Sequence, residues 1–228
     1  VLVAEQATKT LIDGTQVPVW QFSNAAGGPG VLGAGFVVSE NDLINITLTN
    51  NLDRPINIAI PGFLNGQTPC PPGSSQIYSF TAPAPGSYFF NDDVNHPLSR
   101  AMGLLGPLVV MPLNNPNQLY TGGPTFDRQY TLVLHELDTR INNAVALGNP
   151  VDMAGFEANY FFVNGLSYPD TRNNPDTGLA MNVGQNVALR FINASLSFNC
   201  MHFHGYHVNV ITRNRQPELS VVEKDTVL

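Results

Sequence analysis

Short apolar runs separated by turn-forming clusters recur along most of this sequence. The runs Gln76–Phe80, Ser87–Phe90 and Leu105–Met111 each have the length of a strand. Clusters rich in Pro and Gly lie between such runs, as at Pro69–Gly73 and Pro83–Gly86. With 20 Gly, 18 Pro and only 12% charged residues, the composition suits many short strands better than surface helices. This regular spacing predicts an all-β fold, either a sandwich or a barrel.

The same pattern continues into the second half of the chain. A segment rich in Pro, Asn and Gly, residues 113–128, interrupts it and predicts a linker between one domain at 1–112 and another at 129–228. The segments Val38–Asn50 and Met181–Asn193 echo each other, as expected for an internal duplication. One short helix is predicted at Asp138–Leu147. Further strands are predicted at Ile56–Ile60, Gln129–Leu134, Tyr160–Val163, Asn186–Ile192 and His202–Ile211, and a strand, turn and strand at Phe36–Asn50.

Charge and hydropathy exclude two classes of partner. The net charge is −7, and no cluster of Lys and Arg provides a footprint for nucleic acid or an anionic membrane. No run reaches the roughly 18 apolar residues of a membrane span. Because the sequence opens at Val1 rather than Met, we expect an exported product, extracellular or periplasmic. In such a compartment Cys70 and Cys200 could form a disulfide.

Three of the five histidines, His202, His204 and His207, lie within six residues. Along one extended strand, His202 and His204 would present two imidazoles on one face, with Cys200 on the same side, while His207 would face elsewhere unless Gly205 bends the strand. Imidazole suits copper and zinc, but two histidines make only part of a first shell. The motif therefore predicts a metal site that takes further ligands from elsewhere.

Other titratable residues leave two readings open. His96 lies close in sequence to Met102, a combination that can form a mononuclear copper site, or it is a solvated loop histidine. Asp92 and Asp93 could hold a hard cation or be solvated surface. His135, beside a carboxylate at the end of a strand, is expected to be structural. No Ser/His/Asp triad, phosphate-binding Gly loop or paired-carboxylate site is recognisable from spacing.

The motifs resemble those of the multicopper oxidase family, which is built from tandem cupredoxin domains. The resemblance is most detailed where strand Leu189–Ala194 is followed by Met201-His202-Phe203-His204-Gly205, similar to the family's His-x-His-Gly copper motif. Tyr160–Gly165 resembles a segment of the same domain. The resemblance implies two cupredoxin-like Greek-key β-sandwich or barrel domains with copper as the cofactor. In the first domain the similar segments are Gly86–Phe90 and Gly103–Val110.

Several ligands that the family would supply are absent. The resemblance places histidines at Ala59 and Pro61, and another His-x-His at Asn91-Asp92-Asp93, where an electron-transfer site would need a cysteine at Asp92. Asn199 stands where a histidine would bind the electron-accepting copper. Of the eight imidazoles of a trinuclear centre, the pair His202 and His204 is retained. The family would also continue past Leu228 into further strands and a His-Cys-His motif, so another chain or further sequence is expected to complete the second domain.

These observations leave three functional hypotheses. The first is a multicopper-oxidase-like copper-binding protein that oxidises phenols, amines or metal ions and reduces dioxygen once completed by further sequence or a partner chain. The second is a degenerate cupredoxin that serves as a scaffold or assembly protein without catalysis. The third is a copper-binding protein for storage or delivery. Metal content and colour would discriminate between them, because a copper–thiolate site is blue and a scaffold is colourless.

Overall fold

The structure, a computed structural model, describes residues 1–24 and 35–227, and these residues form mostly strands. The helices are short: α1 (Leu98–Ala101), α2 (Thr139–Ala146) and α3 (Asp170–Asn173), with one 3-10 turn at Met153–Gly155. The strands are β1 (Leu2–Thr10), β2 (Gln16–Ser23), β3 (Phe36–Ser39), β4 (Leu43–Asn50), β5 (Ser75–Thr81), β6 (Gly86–Asn91), β7 (Leu105–Met111), β8 (Arg128–Leu137), β9 (Tyr160–Val163), β10 (Val187–Asn193), β11 (Met201–His202), β12 (Val208–Arg213), β13 (Gln216–Lys224) and β14 (Thr226–Val227).

The chain divides into two compact units, Val1–Leu196 and Ser197–Leu228. The division into domains at 1–112 and 129–228, with a linker at 113–128, stays a prediction. Among the described residues, no helix is long and apolar enough to cross a membrane.

Two sheets form the sandwich at the start of the first unit. One has the order β2-β1-β4-β5 and the other β3-β7-β6. Strand β5 shows why they pack: Tyr78 and Phe80 are buried, while Ile77, Ser79 and Thr81 on the opposite face are exposed. This two-residue period gives each strand one apolar face for the core. The core draws large side chains from both sheets, including Leu2, Trp20, Phe22, Leu48, Phe90, Leu108 and Val110.

A third sheet follows in the same unit, with the order β10-β8-β9. Strands β8 and β10 run parallel, with Leu132 opposite Phe191, and β9 is antiparallel to β8. Arg190 on β10 is 5% exposed. Its guanidinium donates to the Gln129 side chain and reaches Ser87 and Met111 on strands β6 and β7 of the preceding sandwich. Burial lowers the pKa of Arg190 to about 10. The third sheet is thus tied to the sandwich by a buried side chain as well as by apolar packing.

The second unit contains two pairs of strands, β11 with β14 and β12 with β13. Strand β13 is largely exposed, including the apolar side chains of Leu219 and Val221.

Most predicted elements are confirmed, and two are wrong. Strands β7 and β9 match the predicted bounds, and α2 lies within the predicted Asp138–Leu147, with the Asp138 carboxylate capping its first turn. The predicted strand Ile56–Ile60 is replaced by isolated bridges from Ile56, Ala59 and Ile60 to three different partners. The predicted strand His202–Ile211 is also wrong, since β11 ends at His202 and β12 begins at Val208. The all-β class is confirmed.

The two cysteines are free thiols. Cys70 is fully buried in the core of the sandwich, where burial raises the pKa of its thiol. Cys200 is exposed. The structure thus contains no Cys70–Cys200 disulfide.

Candidate metal centre

The histidine motif lies where a short strand gives way to a turn. Strand β11 ends at His202, which lies directly opposite Thr226 of β14 in an antiparallel register. The next amide, Phe203 N–H, donates to the Asp225 carbonyl at 2.8 Å. The chain then turns through His204 and Gly205, and Gly205 has a φ of +77°, a conformation that residues with a side chain adopt only with strain. A turn, rather than the predicted straight strand, therefore carries the motif.

The turn brings the imidazoles of His202 and His204 together. Their ring centroids are 4.9 Å apart, with the rings edge to face, and both side chains are exposed. The predicted proximity is present, although strand alternation is not its cause. An ion from solvent can reach both rings. The pair therefore has the chemistry and access of a partial copper shell, because imidazole is a ligand that copper favours.

One ring nitrogen of His202, Nδ1, lies within hydrogen-bond distance of two oxygens. Its Nδ1 lies 3.1 Å from the Asp225 carbonyl oxygen and 3.0 Å from Thr226 Oγ1. These contacts leave Nε2 as the ring nitrogen available to a metal. Thr226 could not be predicted from local sequence, because only the β11–β14 pairing brings it to His202, 24 positions away.

The pair by itself does not complete a site. Within residues 1–24 and 35–227, no group of three or more His, Cys, Asp or Glu side chains is placed to hold a metal ion. His207 and Cys200 are exposed neighbours in sequence but do not join such a group. Ligation by His207 stays a prediction. The residues of this chain thus fit part of a copper shell, and two imidazoles leave it open.

The first sandwich brings together the two segments from which the ligands are missing. Ala59 N–H donates to the Asn91 carbonyl at 2.8 Å, and Asn91 N–H donates back at 2.9 Å. The backbones of the two segments therefore pair directly. The side chains at these positions, however, are a methyl group, a pyrrolidine ring at Pro61 and an amide, which provide no imidazole. This part of the chain does not fit a copper centre.

A hydrogen-bond network occupies this region instead. Asp92 is 0% exposed, and its Oδ1 accepts from the amides of Asn57 and Val94 at 2.9 and 3.1 Å. Its Oδ2 accepts from the amide and the side chain of Asn95, at 3.0 and 2.9 Å. Asp93 accepts from the Asn57 side chain at 2.6 Å and from the Gly66 amide at 2.8 Å. Asp92 and Asp93 therefore hold the surrounding loops in place by accepting hydrogen bonds from N–H groups. Neither a hard-cation site nor solvated surface, the two hypotheses from the sequence, describes this arrangement.

His96 lies on the exposed side of the same loop. Partial desolvation of its ring, followed by the positive charge of Arg100, lowers the pKa of His96. Met102, the proposed second ligand, is 0% exposed and packs in the apolar core. In the described part of the chain His96 belongs to no group of three side chains that could hold a metal. Copper ligation by His96 remains a prediction without supporting geometry.

His135 is the most deeply buried histidine among the described residues. Its ring stacks on Phe162 with the centroids 6.4 Å apart, and its Nε2 lies 3.1 Å from the Arg100 carbonyl oxygen. Desolvation lowers the pKa of His135 to about 4. A neutral ring enclosed in this way has no access to a substrate. Its expected structural role agrees with this environment.

Comparisons with known proteins place these features in context. Residues 4–115 match a family model described as multicopper oxidase. Among solved structures, the chain is 24% identical to the blue copper oxidase from Nitrosomonas europaea, with a TM-score of 0.78. The match covers 99% of this chain and 70% of the oxidase. The chain is 20% identical to the copper nitrite reductase from Nitrosomonas europaea, with a TM-score of 0.70, and this match covers 99% of the chain and 80% of the reductase.

A third solved structure is the laccase from Botrytis aclada, which is 21% identical, with a TM-score of 0.71; the match covers 99% of this chain and 43% of the laccase. A search of curated protein sequences found no significant match. At these identities the structural likeness establishes the fold, and the family that residues 4–115 match has copper as its cofactor. Residues 4–115 therefore match the multicopper oxidase family, and the chain as a whole has the cupredoxin-like fold of the solved copper proteins that it resembles.

Proposed function

We propose that this chain is a copper-binding protein of the multicopper oxidase type, and that His202 and His204 are its copper ligands. The observation that carries the proposal is the pair of exposed imidazoles with centroids 4.9 Å apart, on a chain with this family's fold. The hydrogen bonds at His202 Nδ1 support it, because they leave Nε2 for a metal.

Two imidazoles require further ligands, which another chain or further sequence would supply. Bound copper in a completed centre would provide one-electron oxidation of phenols, amines or metal ions, coupled to the reduction of dioxygen. In this proposal, the contribution of the chain itself is to hold two imidazoles at one turn and to leave them accessible. We also propose an extracellular or periplasmic location for the chain.

Copper content per chain tests the proposal. After anaerobic incubation with copper(I) and desalting, the wild-type chain is expected to retain copper, and the His202→Ala/His204→Ala double variant is expected to lose it. The physical reason is that removing both imidazoles removes both nitrogen donors of the partial shell. Elemental analysis of the desalted protein is the measurement.

Asn209→Ala is the control, since Asn209 is an exposed side chain on strand β12 of the same unit and provides no imidazole. This control should retain wild-type copper, and His207→Ala and His96→Ala test separately whether either predicted ligand contributes. Equal copper in the wild type and the double variant would contradict the assignment of the site, as would copper at background in the wild type.

A scaffold without catalysis is the second candidate function. The observation that favours it is the network at Asp92 and Asp93, which replaces metal ligands of the first sandwich with structural hydrogen bonds. A scaffold would retain the fold and bind no copper at His202 and His204. The same elemental analysis therefore separates the two functions.

A further inference from the structure

We propose that Thr226 is a positioning residue for His202: its hydroxyl and the Asp225 carbonyl hold the imidazole as the Nδ1–H tautomer and present Nε2 to copper. This inference rests on the proposed function and deepens it, since it states which nitrogen binds and what orients it. It concerns only the second unit, where all the residues involved lie.

Backbone pairing sets the geometry. His202 and Thr226 are register partners in the β11–β14 ladder, so their side chains leave the strands on the same face. Thr226 Oγ1 lies 3.0 Å from His202 Nδ1, and the Asp225 carbonyl oxygen lies 3.1 Å from the same atom. That carbonyl also accepts the Phe203 amide at 2.8 Å, which holds it in place. Two oxygens on a fixed strand thus face a single ring nitrogen.

The identity of these acceptors determines the tautomer. A carbonyl oxygen can only accept a hydrogen bond, so Nδ1 must carry the proton to bond with Asp225. A neutral imidazole protonated at Nδ1 keeps its free lone pair on Nε2, which is the form that binds a metal. The Thr226 hydroxyl adds a second acceptor for the same N–H, and the β-branched side chain restricts its own rotation. Outer-shell contacts of this kind raise metal affinity by orienting the ligand.

A matched pair of variants separates positioning from a role in packing. Thr226→Val keeps the shape and removes the acceptor, whereas Thr226→Ser keeps the acceptor. We expect Thr226→Val to weaken copper(I) binding about 10-fold, the lower end of known outer-shell effects, and Thr226→Ser to remain close to wild type. Competition with a copper(I) chelator gives the affinities. Equal losses in the two variants, or no loss in either, would overturn the positioning role.

Nitrogen NMR of the metal-free chain provides a readout that does not depend on copper. With ¹⁵N-labelled histidine at pH 8.5, His202 is expected to be the Nδ1–H tautomer in the wild type and in Thr226→Ser. Thr226→Val should increase the Nε2–H population, and copper(I) should shift the Nε2 signal of the wild type.

The two readouts distinguish failure of this inference from failure of the proposed function. An Nε2–H tautomer in the wild type would overturn the inference, whether or not copper binds. The Nδ1–H tautomer in a chain that binds no copper would support the hydrogen-bond arrangement and overturn the proposed copper site.

Discussion

Replacing Asp92 with Ala is expected to lower the free energy of unfolding of the first unit by about 4 kcal/mol, because three backbone amides lose their acceptor at once. Those amides belong to Asn57, Val94 and Asn95, and the Asp92 side chain that serves them is 0% exposed. An unsatisfied buried N–H costs about 1–3 kcal/mol, and partial entry of water offsets some of the sum. The expected loss in the free energy of unfolding is therefore large for an aspartate that lies in a loop.

Denaturant unfolding followed by fluorescence of the single tryptophan measures this loss. Trp20 is 2% exposed in the core of the sandwich, so its emission reports the first unit. Asp53→Ala is the matched control, because the Asp53 side chain is 78% exposed and its ion pair with Arg54 lies at the surface. That control should lose less than about 1 kcal/mol. A similar stability for Asp92→Ala and Asp53→Ala would contradict the network as the organiser of this region.

Acidification from pH 6.5 to pH 4 is expected to remove roughly 3 kcal/mol of stability from the first unit through His135 alone. Desolvation lowers the pKa of His135 from its ordinary value of 6.5 to about 4. Between these values the unfolded chain binds the proton and the folded chain does not. The stabilisation is therefore fully present above pH 6.5 and is lost progressively as the pH falls towards 4. The neighbouring charges of Arg100 and Lys9 act in the same direction.

The His135→Gln variant tests this origin. Gln keeps an N–H donor that can reach the Arg100 carbonyl but does not titrate, so its stability should change less between pH 6.5 and pH 4.5 than that of the wild type. His207→Gln, at an exposed position, should keep the wild-type pH dependence. Tryptophan-monitored unfolding at each pH provides the comparison. Parallel pH profiles for His135→Gln and wild type would contradict burial of a neutral His135 as the source of the effect.

Local sequence was sufficient wherever an element depends on its own pattern. Strands β7 and β9 were predicted as short runs of strand length, and helix α2 as a short helical segment. The structure shows that each depends on contiguous residues, since Asp138 caps the first turn of α2 locally. Prediction failed at Ile56–Ile60, where the apolar run is real and buried but its hydrogen bonds go to separate partners. An apolar run predicts that a segment is buried. A β-strand also requires a neighbouring strand that is in register with it along its length.

The candidate site shows the same division. The spacing of His202 and His204 predicted two neighbouring imidazoles, and the structure places them together. The predicted straight strand is nevertheless wrong, because Gly205 turns the chain after β11. The role of Thr226 could not be predicted locally, since strand pairing across 24 positions brings its hydroxyl to the ring.

By itself the sequence determined the all-β class, the position of most strands and the presence of a histidine pair suited to copper, since these follow from residue type and short-range spacing. Only the tertiary structure decided that Asp92 is a buried hydrogen-bond acceptor, that His135 is held neutral and that the Nδ1 of His202 lies against Asp225 and Thr226. The physical reason is that the donors, acceptors and desolvation that set the state of a polar side chain come from residues distant in sequence, as in the contact of Asp92 with Asn57, 35 positions away.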